Sequence, residues 1–71
     1  MSRYLVIIEE STTGFSAFVP DLPGCIATAG TREDLVSSVR EGVEFHLEGL
    51  RDAGEPVPPP RSSATYVEVA A

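Results

Sequence analysis

One stretch of the chain, residues 32–53, has the periodicity of a long helix, and it restricts the fold more than any other feature. Most of its apolar side chains, together with one histidine, fall at about 100° per residue within one arc of roughly 120°. The arc consists of Leu35, Val36, Val39, Val43, His46, Leu47 and Leu50. Thr31 and Asp34 match a helix N-cap box, and Gly54 and Pro56 stop the helix. Because one apolar stripe covers only one face of a sheet, the remaining residues must supply that sheet.

Four segments outside the helix have strand-like sequences. They are residues 4–8, 15–19, 25–29 and 65–69. The first is apolar at every position, which is typical of a central strand that is covered on both faces. Turn residues separate the first three segments, and the proline-rich residues 54–63 lead into the fourth. We therefore expect residues 1–71 to form one α+β domain of order β-β-β-α-β. Its sheet would be four-stranded and mixed, with the helix on one face and a right-handed crossover to a parallel fourth strand.

The sheet face opposite the helix needs a second cover. Alternation along the strands leaves either Leu5, Ile7 and Phe18 or the alternate set of side chains uncovered. The alternate set is Tyr4, Val6, Ile8, Phe15, Ala17 and Val19. A chain of 71 residues buries a small core, and its single cysteine, Cys25, cannot form an internal disulfide. We therefore expect the chain to form a homodimer or a larger homo-oligomer that covers this face.

The charge balance limits the class of partner. Five basic residues, all Arg, stand against eleven acidic ones, which gives a net charge of −6. A nucleic-acid backbone is therefore not expected as a direct ligand, and the partner should be basic or neutral. The N-terminus carries no cleavage site of a secretion signal, and no apolar run reaches membrane-spanning length. These features predict a cytoplasmic protein with no membrane contact.

The residue types that could support chemistry do not form a recognisable site. His46, the only histidine, lies in the apolar arc of the helix and has no second ligand at metal-binding spacing, so a packed or interfacial role is favoured over a catalytic one. Cys25 lies in a buried strand context, where cysteine usually acts as a small hydrophobe rather than as a reactive thiol. The carboxylates of Glu41, Glu44 and Glu48 belong to the solvent face of the helix. We expect no catalytic residue, no cofactor and no metal, and therefore no enzyme.

Several motifs, taken in order, resemble the HicB-like antitoxin family. They are Phe-Val-Pro-Asp-Leu-Pro-Gly-Cys at residues 18–25, Thr-Arg-Glu-Asp-Leu at 31–35, Leu-Glu-Gly-Leu at 47–50 and Gly-Glu-Pro-Val-Pro at 54–58. The resemblance implies a partial ribonuclease H-like fold that neutralises a small mRNA-cleaving toxin. Many members also carry a DNA-binding segment, and this sequence shows no helix-turn-helix, ribbon-helix-helix or basic segment after Ser63.

Four residues are candidates for binding the toxin. Asp21, Leu22 and Pro23 lie in a stiff connection, where Leu22 would be an apolar anchor and Asp21 a charge for an Arg or Lys of the partner. Phe45 falls near the polar side of the helix, where an exposed aromatic ring favours a partner or oligomer contact. The connection is equally compatible with a structural corner that has Leu22 in the core. Two other functions remain open: a stand-alone homo-oligomeric regulatory or scaffold protein without a toxin, and a degenerate nuclease, which the missing carboxylate cluster disfavours.

Overall fold

The computed structural model describes residues 2–70 and contains three strands and one helix. The elements are β1 (Ile7–Ser11), β2 (Gly14–Phe18), β3 (Ile26–Ala29) and α1 (Arg32–Asp52). They follow one another in the order β-β-β-α, so the α+β class is as predicted.

The sheet is antiparallel throughout, with β2 in the middle and β1 and β3 at the edges. Ile8, Ala17 and Ala27 are paired across the three strands, and their side chains lie on the face that packs towards α1. The tight turn between β1 and β2 depends on Gly14, whose φ of 142° is strained for a residue with a side chain. The hairpin holds the two strands in register and so fixes which side chains reach the core.

The helix begins as its sequence indicates. The Thr31 hydroxyl accepts a hydrogen bond from the Asp34 backbone N–H over 3.2 Å, and Glu33 and Asp34 place negative charge in the first turn, where the helix dipole favours it. The last helical residue is Asp52, one before the predicted end. Gly54 follows with a positive φ of 70°, the conformation that ends many helices.

The core lies between the sheet, the helix and the connection from β2 to β3. Its buried members are Ala17, Val19, Leu22, Cys25, Leu35 and Val39, and Leu22 and Leu35 are the largest side chains that are fully buried. Val43 and Leu47, predicted as core residues of the helix, pack against this cluster but are only partly buried. The helix therefore buries its N-terminal half more deeply than its C-terminal half.

The predicted fourth strand is wrong. Residues 65–69 are exposed, and residues 55–70, to which they belong, contain neither strand nor helix. The sheet therefore has three strands, not four, and it is antiparallel rather than mixed. Alternating apolar residues indicate that a segment can pair as a strand, but pairing also requires that the segment lie beside an open edge. The contacts that hold residues 58–62, described below, lead the tail away from the fold.

The position of the first strand also differs from the prediction. The apolar run 4–8 was expected to be a central strand, whereas β1 begins at Ile7, extends to Ser11 and lies at the sheet edge. Tyr4 and Val6 are nevertheless apolar for a reason, because both pack against the core from the segment that precedes the strand. The apolar run therefore indicated correctly that this segment contacts the core, but its central place in the sheet, its cover on both faces and its strand limits were wrong.

The two possibilities for the uncovered sheet face are resolved. The set containing Val6, Ile8 and Ala17 packs with the helix, so the opposite face is uncovered. On that face Ile7, Phe18 and Ile26 are paired across the three strands as one apolar row. Ile26 is 76% exposed, and Phe18 is also exposed. We call these three side chains the apolar row.

Candidate partner-binding site

The connection between β2 and β3 is a closed corner held by its own backbone. Val19 N–H donates to the Cys25 carbonyl over 3.1 Å, and Cys25 N–H donates to the Leu22 carbonyl over 3.0 Å. Leu22 N–H in turn donates to the Val19 carbonyl over 3.1 Å. Of the predicted contact residues here, Leu22 is fully buried in the core and Pro23 is exposed. Pro23 therefore offers surface to a partner, whereas Leu22 offers none in this conformation.

Asp21 binds the C-terminal part of its own chain. One carboxylate oxygen, Oδ2, accepts hydrogen bonds from the backbone N–H groups of Arg61 and Ser62, each over 2.9 Å. The other, Oδ1, accepts from the Ser62 hydroxyl over 2.8 Å. The hydrogen bonds from the backbone N–H groups of Ser62 and Arg61, followed by the bond from the Ser62 hydroxyl, lower the pKa of Asp21. Burial acts in the opposite direction, and the nearby Arg61 charge adds a smaller lowering. The carboxylate thus stays ionised and fixes the position of residues 61 and 62.

A second contact holds the proline-rich connector. The Tyr4 hydroxyl donates a hydrogen bond to the Pro58 carbonyl oxygen, across 54 positions of sequence. Proline carbonyls keep their acceptor although the residue has no N–H to donate. Together with Asp21, Tyr4 fixes the connector at the end of the sheet where β1 begins. No local sequence pattern indicates the Tyr4 contact or the Asp21 contact, because the partners lie far apart in the sequence. In addition, the Pro58 acceptor and the Arg61 and Ser62 N–H donors are backbone groups.

Phe45 lies on the outer side of α1 and is 79% exposed. Glu41 and Glu48, four residues before it and three after it, are helical neighbours of the ring and are also exposed. The arrangement presents an apolar ring between two carboxylates. Phe45 is not a member of the core cluster that contains Leu22.

The side chains considered for chemistry remain apart. Cys25 is a free, buried thiol, and burial raises its pKa, which keeps it protonated and unreactive at neutral pH. His46 is half-buried on α1. Residues 2–70 contain no group of three or more His, Cys, Asp or Glu side chains placed to hold a metal ion. A search of this range for a helix that could span a lipid bilayer finds none.

An apolar groove runs between α1 and the start of the chain. It has a volume of about 380 Å³. Its apolar wall consists of Tyr4, Val6, Ile8, Val36, Val39 and Val43. Arg3, Arg40 and Glu44 also line it. Because β1 is an edge strand, the groove is bordered by backbone that has a neighbouring strand on one side only. We call this feature the β1–α1 groove.

Comparison with known proteins identifies relatives along almost the whole chain. Residues 4–70 match the family model described as the HicB_like antitoxin of bacterial toxin-antitoxin system. A UPF0150 protein of Thermoplasma acidophilum is 30% identical over 68 residues, which cover 94% of this chain and 96% of that protein. A UPF0150 protein of Synechocystis is 36% identical over 57 residues, covering 79% of this chain and 72% of that protein.

Two further relatives are longer than this chain. A 14.9 kDa protein of Haemophilus phage HP1 is 30% identical over 64 residues, and the chain spans 48% of its length. A chain of the solved HicA3 and HicB3 toxin-antitoxin complex superimposes with a TM-score of 0.70 at 32% identity. That match covers 83% of this chain and 70% of the other.

Proposed function

Because the chain belongs to the HicB-like antitoxin family of bacterial toxin-antitoxin systems, we propose that it is a single-domain protein-binding module that neutralises a small mRNA-cleaving toxin by covering it. In this proposal the chain acts in the cytoplasm without catalysis or a cofactor, and it assembles as a homodimer or larger. The similarity to a chain of the HicA3 and HicB3 complex supports a partner of the toxin class.

The observation that carries the proposed contact is the exposed ring of Phe45. A phenyl ring that is 79% exposed loses unfavourable contact with water when a partner covers it. Aromatic side chains in such positions often contribute a large part of the binding energy of an interface. Glu41 and Glu48 beside the ring would pair with basic side chains at the rim of the contact.

Charge complementarity fits the same partner. A toxin that cleaves RNA must offer a basic surface to phosphates, and this chain carries a net charge of −6. A negatively charged module would be attracted to that surface and would compete with RNA for it. Complementary charge mainly raises the association rate and the selectivity, while the buried apolar contact sets how long the complex lasts.

The corner between β2 and β3 is proposed as a second, smaller part of the contact. Pro23 would touch the partner directly, and Leu22 would support the corner from the core. Asp21 accepts three hydrogen bonds within the chain, and an ionised carboxylate offers about four acceptor positions. One position thus remains for an Arg or Lys of the toxin, as the sequence suggested.

The test measures binding of purified wild-type and variant chains to a catalytically inactive HicA-type toxin from the same genome. Phe45→Ala should weaken binding by at least about tenfold, since truncation of a central aromatic residue commonly costs about 2 kcal/mol or more. Val57→Ala, which shortens an exposed apolar side chain outside α1, is the matched control and should bind like wild type. If Phe45→Ala binds the toxin with the same affinity as Val57→Ala and wild type, Phe45 is excluded from the contact. If the wild-type chain does not bind the toxin, the antitoxin role is contradicted.

A second candidate function is favoured by the apolar row on the uncovered sheet face. Exposed Phe18 and Ile26 suit a stand-alone homo-oligomer with a regulatory or scaffold role and no toxin. The two functions differ in one measurement: the stand-alone protein would form its oligomer but would not protect cells in which the HicA-type toxin is co-expressed.

A further inference from the structure

The last described residues form an exposed arm with the composition of a strand. We define the C-terminal arm as residues 63–70, every one of which is exposed. Val67 and Val69 are each 76% exposed, and Tyr66 is fully exposed. β-branched and aromatic residues are enriched in strands, and three of them within four positions are costly to leave in water. The side-chain hydrogen bond of Thr65 stays within the arm, since it is made to the Tyr66 carbonyl.

The β1–α1 groove of the same chain has exposed apolar side chains and a free strand edge, which an extended apolar segment would cover. The β1–α1 groove exposes Val36, a helical side chain that is 44% exposed, beside the partly buried Val43. At Ile8 the groove meets β1, an edge strand whose free side leaves backbone N–H and C=O groups open to another extended segment. An extended segment that binds there gains main-chain hydrogen bonds and places alternate side chains in the groove.

We propose that the C-terminal arm of one copy binds in the β1–α1 groove of a second copy, and that the two copies exchange arms reciprocally. Each chain keeps its own three-stranded sheet. Val67 and Val69 point to the same side of an extended arm and would enter the groove, while Tyr66 and Glu68 point to the other side. The inference rests on the homo-oligomer in the proposed function and names the surfaces that form it.

Charge at the groove favours this occupant over a basic toxin. Two of the five basic residues of the chain, Arg3 and Arg40, line the groove against one acid, Glu44. This region is therefore positive within a chain whose net charge is −6. The arm carries no basic residue after Arg61, so the charge of the groove does not oppose its entry, whereas a basic partner would be repelled.

The contacts at Asp21 and Tyr4 explain why the arm is available to a neighbour. They hold Pro58 and Ser62 against the fold, so the arm starts from a fixed point and needs to order only its last residues on binding. The chain extends over 48 Å in its longest dimension but 26 and 19 Å in the others. Reciprocal exchange satisfies both arms and both grooves and closes the assembly at two copies.

The experiment compares five full-length chains by sedimentation velocity across micromolar to submillimolar concentrations: wild type, an arm variant, a groove variant, a matched control and the sheet-face variant Ile26→Glu. Wild type should sediment as a dimer. The arm variant Val67→Glu/Val69→Glu and the groove variant Val36→Glu should each sediment at half that mass, with circular dichroism showing that both retain the fold. The matched control Ala64→Glu/Ala70→Glu adds the same charge to the other side of the arm and should remain dimeric.

Mixing supplies the decisive comparison. The arm variant has an intact groove and the groove variant has an intact arm, so an equimolar mixture should form a heterodimer through one restored contact. A monomeric wild type, whether or not its arm folds into its own groove, would overturn the inference. The inference would also be overturned if both the arm variant and the groove variant remained dimeric. The same holds if Ile26→Glu were the one variant that disrupts the dimer. Toxin binding is measured separately. A dimeric chain that does not bind the toxin contradicts only the antitoxin role, and a monomeric chain that binds the toxin contradicts only arm exchange.

Discussion

Gly14 and Gly49 have opposite surroundings, although both are glycines in regular elements. A Cβ atom at position 14 would lie 2.6 Å from the Ala29 carbonyl oxygen, closer than any real contact. A Cβ atom at position 49, in the middle of a helical turn, would meet no heavy atom within 4 Å. Glycine is therefore required by the structure at position 14 and only weakens the helix at position 49.

We predict that Gly49→Ala stabilises the fold by about 0.5–1 kcal/mol, because alanine loses less backbone entropy in a helix. Gly14→Ala should destabilise it, since the strand must shift away from Ala29. The two free energies of unfolding are measured by urea denaturation at one protein concentration. A loss of stability in Gly49→Ala would mean that a partner or a second copy approaches the helix backbone there.

Two leucines of the same helix should differ in what they contribute. Leu35 is fully buried, whereas Leu47 is only partly buried against the core. Leu35→Ala should cost about 2–5 kcal/mol, the usual range for a buried leucine, and Leu47→Ala should cost clearly less. Thermal and urea unfolding of both variants give the comparison. Equal losses would show that Leu47 becomes buried in the assembled protein.

At the scale of elements, the connector depends on a single ionised group. Asp21 has a lowered pKa because its charged form accepts the hydrogen bonds of residues 61 and 62. The stability that this gives is present above the ordinary aspartate pKa of about 3.9 and is lost as the pH falls through the lower folded value. The base of the arm should therefore detach in acid while remaining fixed at neutral pH.

We predict that the Ser62 amide resonance moves towards its random-coil position as the pH falls below the ordinary aspartate range. In Asp21→Asn the same resonance should lie nearer that position already at neutral pH, because the amide oxygen is a weaker acceptor than a carboxylate. Two-dimensional NMR follows both, with the Asp34 amide of the helix cap as an internal reference. A Ser62 resonance that does not respond to the substitution would show that other contacts hold the connector.

The elements also show which information the sequence carries. The helix was predicted to within one residue because its cap, its stripe and its stop are local patterns. The first three strands follow from turns that are likewise local, although the limits of the first were shifted. The fourth strand was wrong because the position of the tail depends on the contact between Asp21 and Ser62, which are 41 positions apart.

At the candidate site, the exposure of Phe45 follows from its place outside the apolar arc. The burial of Leu22 depends on the corner, for which the pattern left two outcomes open.

At the scale of the whole molecule, shape and charge set how it meets other proteins. Its radius of gyration is 14.0 Å, against about 11 Å expected for a compact chain of this length, and the projecting arm accounts for the excess. The net charge of −6 is spread over a small surface, so the field extends beyond the contact itself.

We predict that association with a basic toxin slows as salt is raised from about 0.1 to about 1 M, over which the Debye length falls from about 10 to about 3 Å. Stopped-flow measurement of the association rate tests this. Glu41→Gln/Glu48→Gln should reduce the salt dependence, whereas Phe45→Ala should raise the dissociation rate and leave that dependence unchanged. A rate that is independent of salt would mean that charge plays no part in the encounter.

The hydrogen bonds from Arg61 and Ser62 to Asp21 separate two parts of the chain that should differ in their rates of amide hydrogen exchange. Amide hydrogens that donate to a fixed acceptor exchange with solvent only when that contact opens, whereas those in exposed extended backbone exchange at once. Protection against deuterium should therefore persist at residues 61 and 62, within a segment that has no regular structure, and end abruptly at the arm. The position of that boundary reports the state of the arm: it lies at residue 62 while the arm is free and moves towards the C-terminus when the arm is bound.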